Sequence, residues 1–312
     1  MICSSFLPAA TQMIYDMNLQ HLLHGVTFEC PEPALSEKSK VVRCVLEGHN
    51  YTSIEIDRIF SASRAQGKSL YYVDEAILES IAPDIIFTQD VCEVCQIDTA
   101  CTAAAVSKLK KQPKLVPLSP NTLEDVFRTA ITIATALGNE TAAYTYLASL
   151  QKRIDTIIDR QREKKLPPKR VMVMEWIDPI YNCGHWIPYQ IAYAGGIDML
   201  SNPGGDSIVT LWDKIVRYDP EVLVIAPCGF QVQRTISEME ILMKKPEWKH
   251  LTAVKQQSVY IADYDLFTQP SAGTLTDGIE VLAAMFNPSV FSVPSHLQHK
   301  CLSLSRATAD IM

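Results

Sequence analysis

Ala82-Pro83-Asp84-Ile85-Ile86-Phe87 and Asp219-Pro220-Glu221-Val222-Leu223-Val224 repeat one pattern at two distant places in the chain. Each reads as a turn built from proline and an acid, followed by an apolar run short enough for a buried strand. An amphipathic helical stretch precedes each, Ile77–Ile81 before the first and Leu211–Val216 before the second. A cysteine follows soon after each, Cys92 in one half and Cys228 in the other. Helix, Pro-acid turn and buried strand form a common α/β unit. Its recurrence is what two similar lobes on either side of a central segment would produce, so the expected fold class is α/β with two lobes.

The rest of the chain fits that scheme. Further candidate strands in the first half are Ile2–Phe6, Gly25–Phe28 and Leu115–Leu118, beside Ile85–Thr88. The second half offers Arg170–Glu175, Val222–Ala226 and Val259–Ala262. Between the sets lies a helical stretch from Thr122 to about Lys165, opened by a Thr122/Asp125 pair resembling a capping box. Leu147, Leu150, Ile154 and Ile157 fall on one face of it, Gly138-Asn139 interrupts it, and Pro167-Pro168 stops it. It reads either as two ordinary helices or as one stiff strut joining the lobes. The expected boundaries are an N-terminal lobe over 1–120, a linking helical segment over 121–166, a C-terminal lobe over 167–292, and a partly disordered tail over 293–312.

Bulk properties exclude several function classes. The 312 residues, 47% of them hydrophobic, suffice for two compact units, and 20% charged residues give no sign of general disorder. A net charge of −7 argues against nucleic-acid binding and against attachment to an anionic membrane surface. No run approaches a membrane span, and Met1 leads directly into the strand-like Ile2-Cys3-Ser4-Ser5-Phe6 without a signal peptide. As it stands the sequence reads as cytoplasmic, or as periplasmic or surface-borne if a leader has been removed. Nine irregularly spaced cysteines are an odd number, poor material for a disulfide scaffold and more in keeping with reduced thiols. There is no Walker phosphate loop, no Gly-x-Gly-x-x-Gly after a first strand and no Gly-x-Ser-x-Gly elbow, so nucleotide chemistry and serine hydrolysis lack support.

In open parallel sheets, ligands bind beyond the carboxyl ends of the strands. The residues found there are unusual. Glu29-Cys30 follow the second strand, and Gln89-Asp90-Val91-Cys92-Glu93-Val94-Cys95 follow Ile85–Thr88. Glu175-Trp176-Ile177-Asp178 and Tyr181, then Gly184-His185-Trp186, follow the first strand of the second half. Cys228-Gly229-Phe230 and Asp263-Tyr264-Asp265-Leu266-Phe267 follow the last two. Aromatic rings at such an edge suit a large flat or apolar ligand. Thiols, an imidazole and carboxylates suit a metal, or a ligand that carries one. The candidate ligand-binding residues are therefore Glu29, Cys30, Asp90, Cys92, Glu93, Glu175, Trp176, Asp178, Tyr181, His185, Trp186, Cys228, Phe230 and Phe267, with Cys92, Cys95, His185 and Cys228 as candidate metal ligands.

Each has a plainer role to set beside it. A lone Cys92-x-x-Cys95 lacks the second close pair of a zinc ribbon, and a buried apolar cysteine is the commoner fate. Glu29, Glu175 and Asp178 suit helix caps or ion pairs, and the tryptophans suit packing. Three functions compete: a binding protein for a metal-bearing small molecule, a direct metal binder or metallochaperone using Cys92, Cys95, Cys228, His185 and Glu29, and an enzyme with a cysteine nucleophile, His185 as base and Asp178 or Glu175 orienting it.

The strand-end segments resemble the helical-backbone substrate-binding proteins of ABC importers for vitamin B12, haem and iron chelates, in the cobalamin-binding or iron-complex-binding branch. The resemblance is carried by Ser5-Phe6-Leu7-Pro8-Ala9-Ala10-Thr11, Gly25-Val26-Thr27-Phe28-Glu29-Cys30, Thr88–Cys95, Glu175–Pro179 with Gly184-His185-Trp186, Pro227–Phe230 and Asp277-Gly278-Ile279-Glu280. It implies two Rossmann-like lobes joined by one long helix, with a largely preformed cleft between them. It also implies a corrinoid or transition-metal chelate as ligand, delivery rather than transformation of that ligand, an ABC permease as partner, and a monomer.

Overall fold

The computed structural model describes residues 1–66, 68–89, 102 and 105–305. The chain divides into two units, one comprising Met1–Tyr51, Glu55–Pro120 and Glu124–Ser149, the other Thr52–Ile54, Asn121–Leu123 and Leu150–Met312.

The first unit is built on a six-stranded sheet of β1 (Cys3–Ser5), β2 (Leu23–Thr27), β3 (Ser39–Cys44), β4 (Tyr71–Val73), β5 (Ile85–Thr88) and β6 (Lys114–Pro117), in the order β4-β3-β2-β1-β5-β6. All neighbours are parallel except the edge strand β4, which runs antiparallel to β3. Phe6, Val41, Val42, Leu78, Ile86 and Val106 form its core. The central strand β1 is fully buried even though two of its residues, Ser4 and Ser5, are polar.

The second unit carries β7 (Lys169–Trp176), β10 (Gly196–Ile197), β12 (Val222–Ile225), β13 (Val259–Ala262) and β14 (Cys301–Ser303), in the order β10-β7-β12-β13-β14. The short β8 (Tyr181–Asn182) folds back antiparallel on the end of β7, and β9 (Gly184–His185) pairs separately with β11 (Asn202–Pro203). Met172, Met174, Leu223, Ile225, Leu242, Trp248 and Ile261 fill its core. The segment expected to be a tail departs from expectation: residues 301–303 form β14, antiparallel to β13, and Leu297 is buried. This strand has no apolar run of its own to announce it; ladder hydrogen bonds to β13 decide its state.

The two repeated sequence segments occupy matching places. Helix Glu75–Ile81 ends on Ala82 and helix Trp212–Tyr218 ends on Asp219, both in the left-handed region at φ 47°. After each turn the acid ties down the neighbouring strand. Asp84 accepts from the Ile2 N–H at 2.7 Å and pairs with Lys111 at 2.7 Å, while Glu221 accepts from the Arg170 N–H at 3.0 Å and lies 3.7 Å from Lys169.

The central helical stretch forms two helices, Leu123–Ala136 and Glu140–Lys164, of which the second is 25 residues and about 37 Å long at 1.5 Å per residue. Gly138, at φ 75°, makes the break, because that backbone conformation suits glycine and ends a helix. Leu150, Ile154 and Ile157 are buried, as their spacing predicts. In the second unit, Arg153 of the long helix reaches Asp277 at 2.5 Å and Glu280 at 2.6 Å. The Asp277-Gly278-Ile279-Glu280 segment therefore clamps that helix to Ala272–Phe286. No helix among the described residues is long and apolar enough to cross a membrane.

Candidate functional site

The carboxyl ends of β7, β12 and β13 are bonded into one continuous edge. The Cys228 N–H donates to the Glu175 carbonyl at 3.0 Å, joining the ends of β12 and β7. The Tyr264 N–H donates to the Phe230 carbonyl at 3.0 Å, joining β13 to β12. From β7 the chain passes through Ile177 and Ile180, both buried, before β8 turns back with Tyr181 opposite Trp176.

Two ring assemblies stand on this edge. In the first, Trp176 and Phe230 lie 5.2 Å apart, and the Arg234 guanidinium covers Phe230 at 4.7 Å. The Trp176 indole Nε1 is buried and has no hydrogen-bond partner. In the second, His185 stacks on Trp186 at 5.3 Å, and the Trp186 Nε1–H donates to the Phe267 carbonyl at 2.6 Å. That bond locks the indole, so the imidazole rests on a fixed platform.

His185 is held by its backbone. Its N–H donates to the Gly205 carbonyl at 2.6 Å, and its carbonyl accepts from the Gly204 N–H at 2.9 Å. The residue sits at φ 50°, costly for any side chain other than glycine and usually kept only where surroundings impose it. Gly184 permits the arrangement, since a Cβ there would lie 2.5 Å from the Gly205 carbonyl oxygen. The ring Nδ1 is buried and unpaired, and Nε2 lies 3.8 Å from a carboxylate oxygen of Asp206. Burial pushes the imidazole pKa down and Asp206 opposes it, leaving the ring neutral near neutral pH. Behind it, the Ser207 hydroxyl donates to the Glu175 carboxylate.

The remaining candidates are placed as follows. Asp178, Tyr181 and Cys228 are half-buried on the same edge, and Phe267 is fully buried beneath it. In the first unit, Glu29 follows β2 as an exposed residue whose carboxyl end is itself desolvated by surrounding protein, which pushes its pKa up to about 7, with Glu47 adding to the rise. Cys30 is buried; its thiol donates to the Thr11 hydroxyl at 3.1 Å, and burial pushes its pKa up to about 12. Such a thiol is packed rather than reactive. Asp90, Cys92, Glu93 and Cys95 lie outside the described residues. Thus Glu175, Trp176, Tyr181, His185, Trp186, Cys228, Phe230 and Phe267 come together, and Cys30 turns inward.

Chemically the described edge offers aromatic rings and isolated polar atoms. Among the described residues no three His, Cys, Asp or Glu side chains converge as a metal site. Sequence reasoning missed Arg234, Asp206 and Ser207, which lie away from strand ends and meet the site only through the fold.

Comparison with known proteins follows the same lines. The family model for a periplasmic binding protein matches residues 78–266. A periplasmic haem-binding protein from Pseudomonas aeruginosa has TM-score 0.71 at 15% identity, over 95% of this chain and 96% of that one. A periplasmic binding protein from Veillonella parvula has TM-score 0.68 at 16% identity, over 92% and 91%. The periplasmic vitamin B12 binding protein of Vibrio cholerae has TM-score 0.61 at 16% identity, over 92% and 97%. At these identities the likeness is one of fold. No curated protein matches the chain by sequence.

Proposed function

From the premise that the chain belongs to the periplasmic binding protein family, we propose that it is the substrate-binding receptor of an ABC-type importer for a metal-bearing macrocycle, a corrinoid first and haem second. The observation that carries the ligand class is the bonded edge of the second unit, where Trp176 lies against Phe230 and His185 stacks on Trp186, whose indole is locked to the Phe267 carbonyl. Stiff aromatic surfaces bind a large planar ligand with little loss of side-chain entropy. Solved relatives of this fold whose ligands are haem and vitamin B12 support the same class. Such a receptor works outside the cytoplasmic membrane, hands its cargo to a permease and leaves it chemically unchanged.

Titration of the reduced protein with cobalamin and with haemin, followed by tryptophan fluorescence corrected for ligand absorbance, tests this. Saturable quenching at micromolar affinity or tighter, weakened by Trp176→Ala, is the expected outcome. Absence of both quenching and calorimetric heat for either macrocycle would sink the proposal.

A further inference from the structure

The loop leaving β13 ends on Ser271, which begins the 15-residue helix Ala272–Phe286. Ser271 has the extended backbone of an N-cap, but its side chain caps nothing. Serine in that position ordinarily turns back to accept from the second or third amide of the helix. Here Oγ is fully buried and unpaired, and the amide nitrogen of Gln269, 5% exposed, is unpaired as well. A buried polar group without a partner costs free energy, and two within three residues call for an occupant.

The surroundings say which kind. A helix N-terminus presents unsatisfied N–H groups and partial positive charge. No acidic residue lies in the first turn. The Thr274 hydroxyl turns away, donating to the carbonyls of Gln269 and Ser271 at 3.1 Å each. What remains can donate: the Ser271 O–H, the Gln269 amide and the first-turn N–H groups. Gly273 and Thr274 of that turn are half-buried, next to the buried Ser271 and Gln269. The same loop supplies the Phe267 carbonyl that fixes Trp186, which places this N-terminus on the aromatic edge.

We propose that Gln269, Ser271 and the N-terminus of helix Ala272–Phe286 form an oxyanion subsite, which takes a carboxylate or phosphodiester borne on the rim of the ligand. The subsite rests on the receptor function proposed above and sharpens it, because it selects macrocycles carrying an anionic arm.

Two pairs of ligands differ in that arm: cobalamin and dicyanocobinamide, which lacks the phosphodiester, and haemin and its dimethyl ester. Affinities are measured for the wild-type chain, Ser271→Ala and Gln269→Leu, each checked by thermal melting. Wild type should favour the anionic member of the pair it accepts by about tenfold or more, the scale of a hydrogen bond to a charged group. Each variant should bring that ratio towards one and leave affinity for the arm-free member unchanged. A ratio kept in both variants, or a wild-type ratio of one with only a buried water in place, would overturn the subsite. If no macrocycle binds, the receptor proposal fails and inorganic phosphate judges the subsite alone. Phosphate raising the Tm of wild type but not of Ser271→Ala supports it; equal shifts, or none, overturn it.

Discussion

The two Pro-acid turns tie down the starts of their strands alike and differ in the residue that ends the helix before each. In each, the acid's N–H donates to the strand beside it at 2.8 Å, Asp84 to the Ile2 carbonyl and Glu221 to the Arg170 carbonyl, and its carboxylate returns the contact. In each, the preceding helix ends on a left-handed residue. The divergence begins with that residue. The Asp219 carboxylate accepts from the Thr252 N–H and hydroxyl at 2.7 Å each, starting another helix, while Ala82 offers only its carbonyl to Lys111 at 2.7 Å. At the far end, β12 leads into Cys228 and Phe230 under the ring assemblies. The bonds that tie each strand to its neighbour are shared, while the turn residue before them is free to differ, so the repeat conserves how the strand is anchored and not everything around it.

Breaking the core of either copy should have the largest effect. Ile86→Ala and Leu223→Ala, both fully buried on interior strands of their sheets, should each cost about 2–5 kcal/mol in denaturant unfolding. A cost well below that range in one alone would mean that the copies do not share the packing load. The next effect separates them by sign. Asp219→Ala removes a capping carboxylate and should cost about 1 kcal/mol, whereas Ala82→Gly relieves a left-handed alanine and should stabilise by up to about 1 kcal/mol. Matching signs would refute the asymmetry.

The smallest effect concerns acid. Bonding to Lys111 and to the Ile2 N–H holds the Asp84 carboxyl below its ordinary range. At Asp219, burial pulls upward and is outweighed by the bonds from Thr252, so that carboxyl is also held low. A depressed folded pKa contributes stability that is complete above the unfolded value of about 3.9 and is lost as pH falls through the folded pKa. Asp84→Asn and Asp219→Asn should therefore each flatten the decline of Tm below about pH 4. A decline as steep as wild type would show that the carboxylate in question does not govern it.

The legible strands were those with a buried apolar run: Ile85–Thr88 and Val259–Ala262 match β5 and β13 to the residue. The interior strand β3 reads Ser39-Lys40-Val41-Val42-Arg43-Cys44, too polar at its ends to stand out, and β9, β10 and β11 are two-residue pairings set by long-range contact. The rule of strand carboxyl ends found Trp176, His185, Trp186, Cys228 and Phe230 because local sequence fixes them relative to a strand. Arg234 lay out of its reach, since it joins the site by covering a ring four residues away across a turn. Cys30 was misleading for the opposite reason: its neighbour Glu29 is exposed, but the thiol faces Thr11 inside.

β14 has a consequence for the order in which the protein is made. The first sheet has all its strands once residue 117 has left the ribosome. The second leaves one side of β13 bare until residue 303 emerges, so a nascent chain holds an unsatisfied strand edge over the synthesis of some forty residues from Ala262 to Cys301. A pause or a stop codon in that interval would release a product with its aromatic edge already encoded but a sticky flank exposed, prone to pairing with other chains.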